Sequence, residues 1–290
     1  MQVLVYGAGV TGSMFAARLC EAGHDVSLLA RGERLTALRE HGLLLAEGDS
    51  PAVRQVPVAV VERPAGRYHL IAVLVRAHQL DAVLESIAGL DGDVLFLLNW
   101  AAGPESLGAA IGPERVLLGF PTEAGTMDGA VVRYRAPSLM SRLVTMPIGE
   151  ADGRTTPRLK RIVQTFRSAG IKAKAQPKMD AWLKTHAAFA VPLGQAAFAA
   201  GGPKALAGDL DAIRDMIRLM RQNLEAMPTP PVPRVFNALR AVPEGVLVAL
   251  FRRFLRSPTV AHSGLSNASP AESAELERLA EQMHAFARAH

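Results

Sequence analysis

The stretch MQVLVYGAGVTGSMFAARLCEAGHDVSLLARGERL, residues 1–35, decides the fold. Val3, Leu4 and Val5 read as a short buried strand. Gly7-Ala8-Gly9-Val10-Thr11-Gly12 is a G-x-G-x-x-G turn that opens an apolar helix ending at Gly23. A second strand, Asp25 to Leu29, follows at the distance a βαβ unit requires. Each glycine has its own reason to be there. Gly7 permits the tight turn, Gly9 lets the backbone approach a pyrophosphate, and Gly12 lets the helix lie close to the strand. The N–H groups freed at the helix start, at Val10, Thr11 and Gly12, then hold the anion. The motif alone is weak; the strand before it and the helix after it make it a dinucleotide-binding unit, against the alternative of a glycine-rich turn kept only for packing.

The end of the second strand selects the nucleotide. An NAD site usually places a carboxylate there, roughly 20 residues beyond the glycines, to bond the ribose 2′-hydroxyl. Here the strand ends Ala30-Arg31-Gly32-Glu33-Arg34. A cation stands where the carboxylate would be, so a 2′-phosphate is attracted and paired by the guanidinium fork of Arg31. NADP(H) is the expected cofactor. The competing reading makes Arg31 and Arg34 ordinary solvated residues and gives the acidic role to Glu33.

Composition narrows the class. With 290 residues, 49% of them hydrophobic, and a mean hydropathy of +0.16, the chain buries a large core and is not disordered. Its richest apolar run, Ala187 to Ala200, is interrupted by Pro192, Gly194 and Gln195 and is too short for a bilayer. No signal peptide is expected, because the N-terminus enters a strand at once. The single cysteine, Cys20, excludes an intrachain disulfide and a multi-cysteine metal site. The expected location is the cytoplasm. A formal charge of +5 could suggest nucleic acid, but the basic residues are scattered and lack an aromatic ladder. A protein that handles polyanionic cofactors and acidic substrates accounts for the charge.

Strands and helices alternate after residue 35. Leu35 to His41 reads as a helix, and Gly42 to Glu47 with Val53 to Val61 as further strands. Arg67 to Val75 and Asp93 to Leu98 are buried strands separated by a helix from Gln79 to Gly89, and Val116 to Gly119 continues the sheet. The expected fold is α/β, with an N-terminal Rossmann-type doubly wound parallel sheet and an all-α C-terminal domain. Ligands in such sheets bind beyond the carboxyl ends of strands, which singles out Arg76, Gln79 and Asn99. Arg76 and Gln79 would face the phosphate or nicotinamide side. Asn99 would bond the nicotinamide ribose or the substrate, unless it merely caps the next helix.

Between Gly119 and Gly149 the pattern is glycine-rich and β-like. Thr156 caps a helix with Pro157 at its first position, and a strand from Ile171 to Ala175 closes the first domain. Helical spacing then takes over in Trp182 to Ala200, Leu210 to Met227 and Gly245 to Leu255, with a last helix opening at Ser269-Pro270-Ala271-Glu272. The expected domains are 1–177, binding NADP(H), and 178–290, binding substrate and carrying the catalytic group.

Taken in order, GAGVTG, LLARGERL, VRAHQ, the strand end at Asn99, Ile148-Gly149-Glu150 and Trp182-Leu183-Lys184 resemble the ketopantoate reductase (2-dehydropantoate 2-reductase) family over nearly the whole chain. The resemblance implies an NADPH-dependent oxidoreductase of pantothenate biosynthesis that reduces the C2 ketone of a 2-oxo acid. It places the general acid at Lys184 and substrate-binding groups at Ser263 and Glu275. His186, two residues beyond Lys184, is a replacement donor or a satisfied core histidine. Lys184 itself is otherwise a snorkelling surface lysine, and Glu275 a solvated helix residue. The departures matter too. The family has lysine where this chain has Arg76, asparagine-glycine at Asn99-Trp100, and two helix asparagines that help bind substrate at Ala188 and Pro192.

The expected function is reduction of the carbonyl of a small, 2-dehydropantoate-like 2-oxo acid. Reduction builds charge on oxygen, and a cationic proton donor answers it. Another carbonyl substrate, or a nucleotide-binding sensor without turnover, is the alternative, motivated by the lost asparagines. The expected partner is a small acidic carbonyl compound, with no nucleic acid and no membrane; a homodimer is left open.

Overall fold

The computed structural model describes residues 1–123, 125–135, 144–257, 260 and 270–288. They form two compact units: Met1–Leu98 with Pro104–Met179, and Asn99–Gly103 with Asp180–His290.

The first unit runs β1 (Gln2–Tyr6), α1 (Val10–Glu21), β2 (Asp25–Leu29), α2 (Gly32–His41), β3 (Leu43–Glu47), β4 (Val53–Val56), β5 (Ala59–Val61) and β6 (Leu70–Val73). It continues through α3 (Leu80–Ile87), β7 (Asp93–Leu97), α4 (Glu105–Ile111), β8 (Val116–Gly119), β9 (Gly125–Asp128), β10 (Val131–Tyr134), β11 (Met146–Glu150), α5 (Pro157–Ser168) and β12 (Ala173–Ala175). The main sheet has eight strands in the order β12-β11-β8-β7-β6-β1-β2-β5. All its pairs are parallel except β11 with β8. Alternate residues of β1 serve opposite faces. Val3 and Val5 join a core with Phe15 of α1 and Phe166 of α5, whose rings meet edge to face at 5.6 Å. Tyr6 instead reaches Ser86 on α3. Helices therefore cover both faces, as a doubly wound sheet requires.

The chain reverses direction across the sheet at β1, which lies between β2 and β6. The crevice for a ligand in such a sheet opens at this switch point, beyond the carboxyl end of β1. Gly7 is the next residue.

One expectation fails here. The run Val53 to Val61 is two strands in two sheets. Only β5 joins the main sheet; β4 belongs with β3, β10 and β9 to a second sheet of four strands. Pro57, which has no N–H to give a ladder, separates the halves.

The second unit is helical among its described residues: α6 (Met179–Ala199), α7 (Pro203–Leu206), α8 (Leu210–Glu225), α9 (Ala238–Ala241), α10 (Glu244–Leu255) and α11 (Pro270–Arg288). Its core gathers Ala187, Ala188 and Val191 of α6 with Ile213, Ile217 and Met220 of α8 and Leu279 of α11. α11 lies so close to α6 that a Cβ on Gly194 would fall 2.5 Å from the Leu276 side chain. Ser269, the expected cap of α11, lies outside the described residues. Among the described residues no helix is long and apolar enough to cross a membrane.

Candidate functional site

The three glycines after β1 differ in what surrounds them. Gly7 has φ +115°, and a Cβ there would lie 2.4 Å from the Leu74 carbonyl oxygen. A Cβ on Gly12 would lie 1.9 Å from the carbonyl oxygen of Gly7, so the helix can approach the turn only without a side chain. Gly9 is the opposite case: nothing lies within 4 Å of its Cβ position. Its extended backbone, φ −68° and ψ −172°, tolerates any residue. Its bareness serves no contact within the described protein and leaves open space over the loop.

Gly9 caps α1, and no side chain caps the helix with it; the first turn also carries no acidic residue. The first helical bond is Ser13 N–H to the Gly9 carbonyl, 2.9 Å. The preceding N–H groups at Val10, Thr11 and Gly12 have no intrahelical acceptor and carry the positive end of the helix dipole. Open space and unspent donors together fit a pyrophosphate.

The loop is clamped from an unexpected direction. Arg34 donates through Nε to the Ala8 carbonyl (3.1 Å), through Nη1 to the Ala130 carbonyl (2.9 Å) and through Nη2 to Ser13 Oγ (3.3 Å). Half-buried, it joins the fingerprint turn to the β9–β10 hairpin of the second sheet, and burial pushes its pKa down. It is not a solvated residue, and sequence reasoning missed its role. Glu33 is exposed, as is Arg31. Arg31 lies at the cap position of α2 and turns its guanidinium over the Tyr6 ring, 5.5 Å from the centroid, with Nη2 donating to the Tyr6 hydroxyl.

Further along the carboxyl edge, Arg76 follows β6 and is half-buried. Gln79 is exposed and accepts the Arg76 N–H on Oε1 at 3.2 Å, tying down a single 3₁₀ turn. Beyond β8, Glu123 is largely buried. Burial pushes its carboxyl up, against the opposing pull of Arg18 at 3.6 Å and hydrogen bonds from Thr122.

Asn99 follows β7 and groups with the second unit. Beside it the Trp100 indole donates to the Gly103 carbonyl at 2.6 Å, and Ala101 N–H donates to Gln282 of α11 at 2.9 Å. On α6, Lys184 is buried and its ammonium donates to Asp180 one turn earlier, 2.7 Å away. Four-residue spacing puts Asp180, Lys184, Ala188 and Pro192 on one face. Ala188 is fully buried, and Pro192 has no N–H for its carbonyl. His186 stacks on Trp182 with ring centroids 5.5 Å apart and planes within 7°, and burial pushes its pKa down to about 4. Glu275 is half-buried on α11, and Ser263 lies outside the described residues.

Some of the motif residues have structural jobs. A Cβ on Gly149 would lie 2.3 Å from the Gln176 carbonyl oxygen. Glu150, 3% exposed, accepts from Arg158 Nε on both oxygens at 3.0 and 3.1 Å and anchors the start of α5. A cavity of about 960 Å³ beside this clasp lies at the amino edge of β8, the opposite edge from the fingerprint. Cys20 packs against the core, and burial raises its thiol. Among the described residues no three His, Cys, Asp or Glu side chains gather as a metal site would need.

An open glycine turn at the switch point of a doubly wound sheet defines the class: a Rossmann-type dinucleotide-fold protein with a helical second unit. The family model described as Ketopantoate reductase PanE/ApbA matches residues 3–141, and over this stretch the chain is similar to that family. The 2-dehydropantoate 2-reductase of Mesorhizobium japonicum is 27% identical over 212 residues, 63% of each chain. That of Archaeoglobus fulgidus is 29% identical over 175 residues, 60% of this chain and 55% of the relative. The matches thus span less than two thirds of those relatives' length. Two solved structures share the fold over nearly the whole chain. The 2-dehydropantoate 2-reductase of Porphyromonas gingivalis has a TM-score of 0.70 at 16% identity, covering 99% of this chain and 96% of its own. D-mandelate dehydrogenase with NADH and anilino(oxo)acetate has a TM-score of 0.71 at 16% identity, covering 100% and 99%.

Proposed function

We propose that this chain is an NADPH-dependent reductase of small 2-oxo acids. The observation that carries the reading is the uncapped start of α1 beneath the open face of Gly9, with the Arg31 guanidinium at the end of the neighbouring strand. Gly7, Gly9, Val10, Thr11 and Gly12 form the pyrophosphate cradle. Arg31 pairs the 2′-phosphate, and Arg76, Gln79 and Asn99 serve the phosphate and nicotinamide side. When bound, the reduced nicotinamide supplies a hydride.

The protein's own chemistry is at the carbonyl oxygen. Hydride addition leaves an alkoxide, and the Lys184 ammonium gives it a proton; Asp180 holds the donor in place at 2.7 Å. His186, with its pKa near 4, is neutral at pH 7 and serves as a neutral wall or hydrogen-bonding partner rather than the acid. Glu275 and Ser263 are the proposed partners of a substrate hydroxyl.

Ala188 and Pro192 offer no side-chain hydrogen bond on the Lys184 face. With both side chains buried, α6 gives a ketopantoate hydroxyl no partner at these positions, and a 2-oxo acid with an apolar substituent loses nothing there. D-mandelate dehydrogenase, whose structure holds anilino(oxo)acetate, is an example of the same fold with an aromatic ligand.

The test is NADPH oxidation followed at 340 nm over a panel of aliphatic, aromatic and hydroxylated 2-oxo acids. Turnover fastest with an apolar member is expected. Ketopantoate as the best substrate would remove the apolar assignment, and NADPH binding without oxidation by any member would leave a nucleotide sensor in place of a reductase.

A further inference from the structure

Behind Arg31 stands a chain of hydrogen bonds whose direction is fixed at its far end. The Ser86 hydroxyl on α3 donates its only proton to the Val83 carbonyl, 2.8 Å away. Towards Tyr6, 2.9 Å off, its oxygen can then only accept, so the phenol donates. With its proton spent, the Tyr6 oxygen is purely an acceptor, and the group that gives to it is Arg31 Nη2. The ring face adds a second restraint through the guanidinium carbon 5.5 Å from its centroid. Tyr6 itself does not move freely: it is 2% exposed, the last residue of β1, and is followed directly by the fixed turn at Gly7.

We propose that Tyr6, backed by Ser86, is a specificity-determining positioning residue that aims Arg31 at the 2′-phosphate of the nucleotide. The inference rests on the assignment of Arg31 to that phosphate. An exposed arginine would otherwise lose its rotamer freedom each time it engaged a ligand. Holding one edge of the fork on the strand removes part of this cost in advance. Of the five N–H donors a guanidinium carries, one is used on Tyr6 and none of the other four has a described protein partner, so a bidentate edge stays available. The strand that delivers the pyrophosphate turn thus also sets the reach of the residue that distinguishes NADPH from NADH. Both restraints lie within the first unit.

The experiment is fluorescence titration with NADPH and with NADH on the wild type, Arg31→Ala, Tyr6→Phe and Tyr6→Phe combined with Arg31→Ala. Tyr6→Phe keeps the ring and removes only the acceptor oxygen. It is expected to lower the NADPH-over-NADH preference by roughly threefold to tenfold, the worth of one hydrogen bond, while NADH affinity stays constant. In the Arg31→Ala background the same change is expected to leave the preference where it was. Ser86→Ala, which frees the phenol to rotate, is expected to lower the preference roughly twofold by the same route. A wild-type preference kept in full by Tyr6→Phe, or an equal loss of both nucleotides, overturns the positioning role and leaves the Arg31 assignment standing. No preference in the wild type, or a preference that survives Arg31→Ala, overturns the assignment itself and the inference with it.

Discussion

At the start of α1 the working groups are backbone N–H donors, and the glycines there are defined by what a Cβ would strike: protein at Gly7 and Gly12, open space at Gly9. On α6 the working groups are side chains. Asp180 and Lys184 form an ion pair, His186 stacks on Trp182, and Ala188 and Pro192 bring no side-chain hydrogen-bonding group. A backbone site admits almost no substitution, since nearly any side chain fills the space that makes it work. A side-chain site can trade residues one at a time and change its ligand without losing the fold. The family model matches residues 3–141, which hold the backbone site, and stops short of α6.

The largest effect is expected from the side-chain site. If Lys184 donates the proton, Lys184→Ala lowers kcat by about 10²–10⁴-fold with NADPH affinity nearly constant. Lys184→Arg does not restore it, because a guanidinium keeps its proton in this pH range. Full recovery with arginine, or a defect confined to KM, would reduce Lys184 to a carboxylate anchor. Steady-state kinetics on both variants decide the matter, with His186→Ala alongside to show which residue is the acid.

Gly9 and Gly12 sharpen the contrast within the backbone site. The Cβ of Gly9→Val meets no protein atom within 4 Å and suits an extended backbone, so the variant folds, with a melting temperature only a few degrees lower for the poorer helix cap. It occupies the space above the loop, and NADPH affinity is expected to fall by at least about 100-fold. Gly12→Ala places a Cβ 1.9 Å from the Gly7 carbonyl oxygen and forces the helix away from the turn. Its expected cost is about 1–3 kcal/mol of stability, read by chemical denaturation. Were Gly9→Val to bind NADPH normally, the fingerprint would be a packing device alone.

How much of this was legible follows the same division. β1, α1 and β2 could be read because strand, glycine spacing and second strand constrain one another locally, and β2 runs Asp25–Leu29 as its apolar pattern predicts. Thr156 could be read as a cap from one residue type and the proline after it; its hydroxyl accepts the Leu159 N–H at 3.1 Å. The Arg34 clamp could not, because one of its acceptors, Ala130, is 96 positions away and is a backbone carbonyl, which no residue identity announces. The second sheet was hidden for a similar reason: β3 finds its parallel partner in β10, far along the chain. The Lys184–Asp180 pair is different: an acid four residues before a base on a helix is a spacing that the sequence displays by itself.

His186 offers the smallest test, one that asks whether α6 is built for a neutral ring at this position. Burial holds its folded pKa at about 4, against 6.5 for the free side chain. Between those values the unfolded chain binds the proton more readily than the folded one, so stability rises with pH through this window. The contribution is fully present above pH 6.5 and is lost as pH falls towards 4. Below that the histidine adds no further slope. Because the ring keeps some exposure, the loss is expected to be on the order of 1 kcal/mol rather than the full value of the shift, a few degrees in melting temperature. His186→Phe preserves the stack on Trp182 and removes the titration, so melting curves recorded from pH 7.5 to 4 are expected to show a shallower decline in the variant than in the wild type. Comparing slopes, not absolute temperatures, separates the titration from any change in packing. Parallel curves would mean that the ring protonates without penalty, and then the neutral role proposed for His186 would give way to a cation in the acid range.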